Sequence, residues 1–340
     1  MKLASYPKPA QKKRFTCAAS SPGVVRTAPQ RPEVVPHGCF HPACGIMDAP
    51  LRPQEQTGAV IACRNMTEAD LPAAVRIINE SYHDFPIRTA FSAWGLGHTL
   101  VPQYGLDLAR SFIAEADGEI AGVLLLAIDG DARESFVFGW NVPPRFHRLR
   151  VGFELEKCFT RQHLELGVRI SWAFVAHFRR AHRYRAVRFR ETRSLYCLDV
   201  PAPSPAANSG IEVRPCTLAE LEPHYRADPP AEPAPWIQRW RQIARCGPLP
   251  AWRMALAWQG TDVVGWGIWR AELFLTVVQA LRFREPAAGR ALLVAAGGPN
   301  KRPLHLPYVP AGEPLYAMLQ ELGATTALEY REIRRDFPVA

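Results

Sequence analysis

The chain has 340 residues, 48% of them hydrophobic, and a formal net charge of +9. That length exceeds one average domain and supplies enough apolar residues for two cores, while no apolar run approaches the ~18 residues of a membrane-spanning helix. Eight cysteines scattered without regular pairing, and no apolar secretory segment, argue against a disulfide framework and for a reducing cytoplasm.

The charge is unevenly placed. Residues 1–46 carry seven Lys/Arg against one acid, residues 145–193 carry thirteen against four, and the rest of the chain is net negative. A basic stripe in acidic surroundings suits a small polyanion at least as well as a nucleic acid. The arginines of 145–193 also lack the interleaved exposed aromatics of a nucleic-acid surface, so no nucleic-acid partner is expected.

Residues 1–61 are rich in Pro, Ala, Ser and Gln, show no sustained period, and are expected to be disordered. An over-extended reading frame, a genuine tail and a transit peptide all stay open for this segment. His37, Cys39, His41 and Cys44 within it match no common zinc spacing, and no metal is expected.

Two segments then begin alike. Arg64-Asn-Met-Thr67-Glu-Ala69-Asp70-Leu71 recurs as Arg214-Pro-Cys-Thr217-Leu-Ala219-Glu220-Leu221, each match displaced by 150 residues. In both, a threonine followed three residues later by an acid predicts a capping box at a helix start, after a short strand at Val60–Cys63 or Ile211–Val213. A strand and capped helix that occur twice predict a duplicated unit. Phe112–Leu126, turning at Asp117-Gly118, and Met254–Ile268 each predict a β-hairpin. In the first copy a strand follows at Ser135–Val142, then a helix with Val151, Leu155, Phe159 and Leu166 on one face. Val168–Val175 reads as a buried strand, Ala181–Val187 as a short helix and Glu191–Val200 as a last strand, giving the order β-α-β-β-β-α-β-α-β. Residues 201–210 are a linker by composition.

The hairpin, then Val142-Pro-Pro-Arg-Phe146-His-Arg-Leu-Arg-Val-Gly152-Phe-Glu-Leu155, then Tyr184-Arg-Ala-Val-Arg-Phe189, resemble the GCN5-related N-acetyltransferase (GNAT) family, and the duplication resembles its tandem members. The resemblance implies an α/β (α+β) fold of two tandem domains, 62–200 and a degenerate 211–337, each a mixed central sheet flanked by helices. It further implies transfer of acetyl from acetyl-CoA to an amine of a small molecule or peptide, with no metal. In the family a strand–loop–helix junction holds the pyrophosphate of acetyl-CoA on backbone N–H groups at a helix N-terminus. Carried over, that site comprises Trp140, Val142, His147, Arg148, Leu149, Arg150, Val151, Gly152 and Phe153, with Tyr184 as the acid that protonates the thiolate. His147 takes the family's Gln/Arg position, Arg150 its first glycine and Gly152 its last, while Arg148 also stands where a glycine is common, Arg188 replaces the usual glycine after Tyr184 and His177 an asparagine. Glycine-to-arginine changes at a phosphate loop also imply a second reading, a catalytically degenerate binding or scaffold module.

Other residues read as structural. Trp236, Trp240, Trp252, Trp258, Trp266 and Trp269 are expected in packing, Cys158 as buried filling, and His163, His182 and His224 on the surface. Glu134 lies too near the start of its strand to act as a base. Leu319 stands in the second copy where the first has Tyr184. Neither the acyl acceptor nor the oligomeric state is legible.

Overall fold

The computed structural model describes residues 60–82, 90–176, 184–204, 210–229 and 233–338. The candidate zinc residues, the bulk of the 1–61 segment, His177 and His182 lie outside them.

Both predicted capping boxes form. The Thr67 backbone N–H and hydroxyl donate to Asp70, each at 2.8 Å, and Thr217 does the same with Glu220 at 2.7 and 2.8 Å. They start helices α1 (Leu71–Ser81) and, later in the chain, α3 (Leu218–Ala227), each entered from a short strand, β1 (Ile61–Asn65) or β7 (Ile211–Pro215). Arg64 adds a bidentate ion pair to Asp70 and holds its carboxyl well below the usual range.

The first half continues through β2 (Phe112–Ala116), β3 (Glu119–Asp129), β4 (Glu134–Asn141), α2 (Val151–Glu165) and β5 (Ile170–Val175) to β6 (Arg190–Val200). The second repeats the order with α4 (Trp240–Cys246), β8 (Trp252–Gln259), β9 (Asp262–Ala271), β10 (Thr276–Phe283), α5 (Pro286–Gly297), β11 (Leu304–Pro310), α6 (Pro314–Glu321) and β12 (Thr325–Asp336). Asp117 and Gly118 both take positive φ, 48° and 82°, as a tight hairpin turn of the primed type needs.

Among the described residues twelve strands form one sheet in the order β1-β2-β3-β4-β5-β12-β6-β11-β10-β9-β8-β7. The arrangement is symmetric about its centre, and the closing strands are exchanged. Strand β12 of the second half lies beside β5, β6 of the first half lies beside β11, and β6 and β12 pair antiparallel with each other. Strand β6 therefore makes no pairs within its own half.

Helix α2 packs Val151, Leu155 and Phe159 on the sheet as predicted, but Leu166 is 39% exposed. The stripe continues instead through His163, four residues after Phe159, which corrects the surface placement expected for that histidine. His163 is fully buried, its Nε2 2.7 Å from the Ser135 hydroxyl, which also lies 2.8 Å from the Ser171 hydroxyl. Its Nδ1–H donates to the Phe159 carbonyl at 2.7 Å.

Burial pushes the His163 pKa down from 6.5 to about 4. Because the unfolded chain takes up this proton first, the neutral ring's contribution is complete above pH 6.5 and drains as pH falls toward 4. Unfolding free energy is expected to fall by up to about 1.4 kcal/mol per pH unit in that window. His163→Gln should flatten this slope in urea titrations at stepped pH; an unchanged slope would refute the assignment.

Candidate functional site

Strands β4 and β5 pair in parallel only from Glu134–Val137 against Ile170–Ala173. Beyond that they part, and Phe138–Asn141 have no strand partner on that side among the described residues. A bulge coincides with the parting. Leu125 pairs with Gly139 and Leu126 with Val137, leaving Phe138 as the extra residue. The result is a wedge whose β4 wall carries backbone donors and acceptors without a strand partner among the described residues.

The chain passes from β4 through Val142-Pro143 and a 3₁₀ turn, Pro144–Leu149, to Arg150 and α2. Arg145 anchors the turn to Glu80 of α1 at 3.0 Å and Glu119 of β3 at 2.8 Å. The Nε2–H of His147 donates to the Val142 carbonyl at 2.9 Å, so this edge of the ring holds the strand end in place. Arg150 adopts the left-handed conformation, φ 61° and ψ 18°, and its guanidinium lies over the Phe153 ring at 5.2 Å. Phe153 and Glu154 donate the first bonds of α2 to the Arg150 carbonyl at 2.9 and 3.2 Å, and the Val151 and Gly152 N–H groups before them have no intrahelical acceptor. The Val151 side chain itself is fully buried against Gly122, where an added Cβ would come within 2.7 Å of it. Gly152 is different: a Cβ there would meet only Val142, at 4.0 Å. The fold does not need glycine at 152; a ligand approaching the backbone would.

Tyr184 stands across the wedge. Its ring meets Trp140 edge-on, centroids 6.2 Å apart at 89°, and Phe189 at 5.7 Å. The turn it begins closes by a Phe189 N–H to Tyr184 carbonyl bond of 3.0 Å and an Arg188 N–H to Arg185 carbonyl bond of 2.9 Å, with Arg188 at φ 67°. That pattern is a Schellman closure, which normally takes glycine at this position. Arg150 and Arg188 thus both adopt a glycine-type backbone, at a cost of about 1 kcal/mol each.

Trp140 and Tyr184 therefore meet in space, and Val142, His147, Arg150, Gly152 and Phe153 gather at the α2 N-terminus. Arg148 is exposed on the 3₁₀ turn, while Leu149 packs inward with the apolar cluster beneath α2. Glu134 sits at the paired foot of β4, where it accepts from Trp172 Nε1 at 2.9 Å and pairs with Arg239. It is held in the junction between the halves, far from the wedge.

One carboxylate escaped the sequence reading. Glu332 on β12 is 2% exposed and pairs in register with Phe174, the first β5 residue beyond the paired stretch. It accepts from Arg193 at 2.8 Å and from the Thr192 hydroxyl at 3.2 Å, and burial raises its pKa in spite of the arginine. An acid at an inward register of a strand otherwise carrying Leu328, Tyr330 and Ile333 is its only sequence signal.

The second half has the same frame without the loop. Strands β10 and β11 pair only at Thr276–Leu304 and Val277–His305 before parting, and β10 is bulged at Gln279. Two residues then link β10 to α5, which has Glu285 as N-cap and Pro286 without an N–H at its first position. An acid where an anion would bind opposes one. Phe283 and Met318 close over Gly289, where a Cβ would come within 2.6 Å of the Phe283 ring, and Leu319 is fully buried. The six tryptophans named above pack largely as expected. Trp252, Trp266 and Trp269 are buried within the second half, and Trp236 lies at the junction between the halves.

No family model matches the chain, and no curated protein does. Solved structures do. A GCN5-related N-acetyltransferase from Sphaerobacter thermophilus aligns at TM-score 0.59 and 18% identity over 81% of this chain and 95% of its own. A tandem GNAT protein from the clavulanic acid biosynthesis pathway aligns at 0.61 and 12%, over 83% and 100%. A GCN5-related N-acetyltransferase from Kribbella flavida aligns at 0.54 and 17%, over 82% and 71%. The chain has the tandem GCN5-related N-acetyltransferase fold. Among the described residues no helix is long and apolar enough to cross a membrane, and no group of three His, Cys, Asp or Glu could hold a metal.

Proposed function

We propose that the chain is an N-acetyltransferase that takes acetyl-CoA in its first half and carries the acetyl group to an amine of a small molecule or peptide. By sequence the two units run 62–200 and 211–337, and the second, without a phosphate loop, serves as a wall of the acceptor side. The observation that supports this most is the wedge between β4 and β5, opening beside a helix N-terminus at Gly152, where the backbone leaves room for a ligand. The N–H groups of Val151 and Gly152, with the Arg148 and Arg150 guanidiniums, would hold a pyrophosphate. Unpaired β4 backbone near Val142 would donate to the thioester oxygen as charge develops there. Tyr184, at the Trp140 wall, would give its proton to the departing thiolate.

A second reading has a specific observation in its favour. Arg150 and Arg188 both occupy left-handed positions at φ 61° and 67°, where glycine is preferred. In a degenerate scaffold protein Arg150 would obstruct the pyrophosphate. Isothermal titration of the full chain with acetyl-CoA separates the two, together with Arg150→Gly. If Arg150 holds the phosphates, the wild type binds and the glycine variant loses about tenfold in affinity, one charge-assisted contact of roughly 1.4 kcal/mol. No heat from the wild type at millimolar acetyl-CoA, with binding gained in Arg150→Gly, establishes the scaffold reading.

A further inference from the structure

A second cleft lies at the foot of the sheet, at the opposite end of β4 from the wedge. One wall is the 101–110 segment of the first half, another the β3–β4 turn, and the third is α4 of the second half. Its floor is apolar, with Met66, Val101, Leu106, Ile128 and Val168 facing in. Four guanidinium-bearing residues line it: Arg110, Arg133, Arg241 and Arg245. Arg110 is paired with Asp107 at 3.4 Å and Arg241 with Asp129. Arg133 and Arg245 have no carboxylate within ion-pair distance among the described residues.

Arg245 is the instructive one. It is half-buried, and burial together with the Arg241 charge lowers its pKa from the ordinary arginine value, against the opposing pull of Asp129 and Asp107. The two carboxylates that act on it, Asp107 and Asp129, do so beyond ion-pair distance and are each paired with another arginine, so its N–H donors give up water for little in return. The fold nonetheless makes room for it. Gly105 holds φ 68°, and an added Cβ there would lie 1.8 Å from Arg245 Nη1. The glycine thus serves two ends, closing the turn after Tyr104 and letting the guanidinium come close to the backbone at the cleft wall.

We propose that this cleft binds an organic carboxylate with an apolar body, its carboxylate on Arg245 and Arg133 and its hydrocarbon on the floor. A bare inorganic anion would leave the apolar floor wet, and a neutral lipid would leave both arginines without an acceptor. The cleft joins residues of both halves, so its occupant would tie α4 to the β3–β4 turn. It shares no residue with the proposed acetyl-CoA site.

The test is isothermal titration of the full chain with octanoate, inorganic phosphate and octanol in parallel. Octanoate should bind saturably, while phosphate and octanol should not. Arg245→Gln should weaken octanoate by about tenfold or more and leave acetyl-CoA titration as in the wild type, so that this proposal and the acetyltransferase reading fail separately. Arg133→Gln, on an exposed turn, gives an independent reading should Arg245→Gln unfold; it too should weaken octanoate. Absence of saturable octanoate binding at millimolar concentration overturns the proposal. So does octanol binding as well as octanoate, or octanoate affinity unchanged in both variants.

Discussion

Neither half of this chain should fold when produced alone. A fragment of residues 60–204 is expected to be insoluble or molten, and so is one of 210–338, whereas the two produced together should copurify as a stable one-to-one complex. The reason is the exchange of closing strands. In the first fragment β6 has no partner, since its pairs are with β11 and β12. In the second, β12 has none, since its pairs are with β5 and β6. Each fragment would expose strand edges with unpaired N–H and C=O groups and uncovered apolar faces, a ready template for aggregation. Heteronuclear NMR of the isolated first fragment checks this. A dispersed, monomeric spectrum would show that the half is self-sufficient and the exchange incidental.

Trp236→Ala should be the most damaging single substitution at the junction. The indole is 1% exposed, stacks on Phe136 at 5.5 Å, and donates its N–H to the Tyr104 carbonyl at 2.8 Å. Arg239, which ties the junction to Glu134, lies over the same ring at 4.9 Å. Truncation removes a large buried ring, strands the Tyr104 carbonyl and loosens that arginine together, an expected loss of about 4 kcal/mol. For a body of this size that lowers the melting temperature by roughly 10 °C. Trp236→Phe should recover a good part of it. Urea unfolding of the three proteins decides the matter; a loss below about 1 kcal/mol would mean the junction relaxes around the gap.

What was legible in the sequence were features written in neighbouring residues. The capping boxes at Thr67 and Thr217 each need only four consecutive residues, so their 150-residue displacement announced the duplication. The turn at Asp117-Gly118 and the apolar stripe of α2 are equally local. Strand exchange is not. Glu191–Val200 reads correctly as the last strand of the first half, but nothing in its alternation names β11 and β12 as partners. His163 was misplaced because residue type was weighed over position: it continues the Val151, Leu155, Phe159 stripe, and the serines that satisfy it lie on other strands. At the candidate site the loop and Tyr184 are proposed through family resemblance. Glu332 and the cleft under Arg245 were not legible, since each is assembled from segments far apart in the chain.

The exchanged strands also set an order of events during synthesis. Strand β12 runs from Thr325 to Asp336, so the strand that completes the first half's sheet leaves the ribosome more than a hundred residues after β6. Until then β5 has an open edge and β6 has no partner, through the making of more than a hundred further residues. The first half thus cannot be finished early and set aside, as successive domains usually are. Its late, long-range closure makes the nascent chain a natural client for a holding chaperone, and places premature termination before β12 among its most harmful lesions.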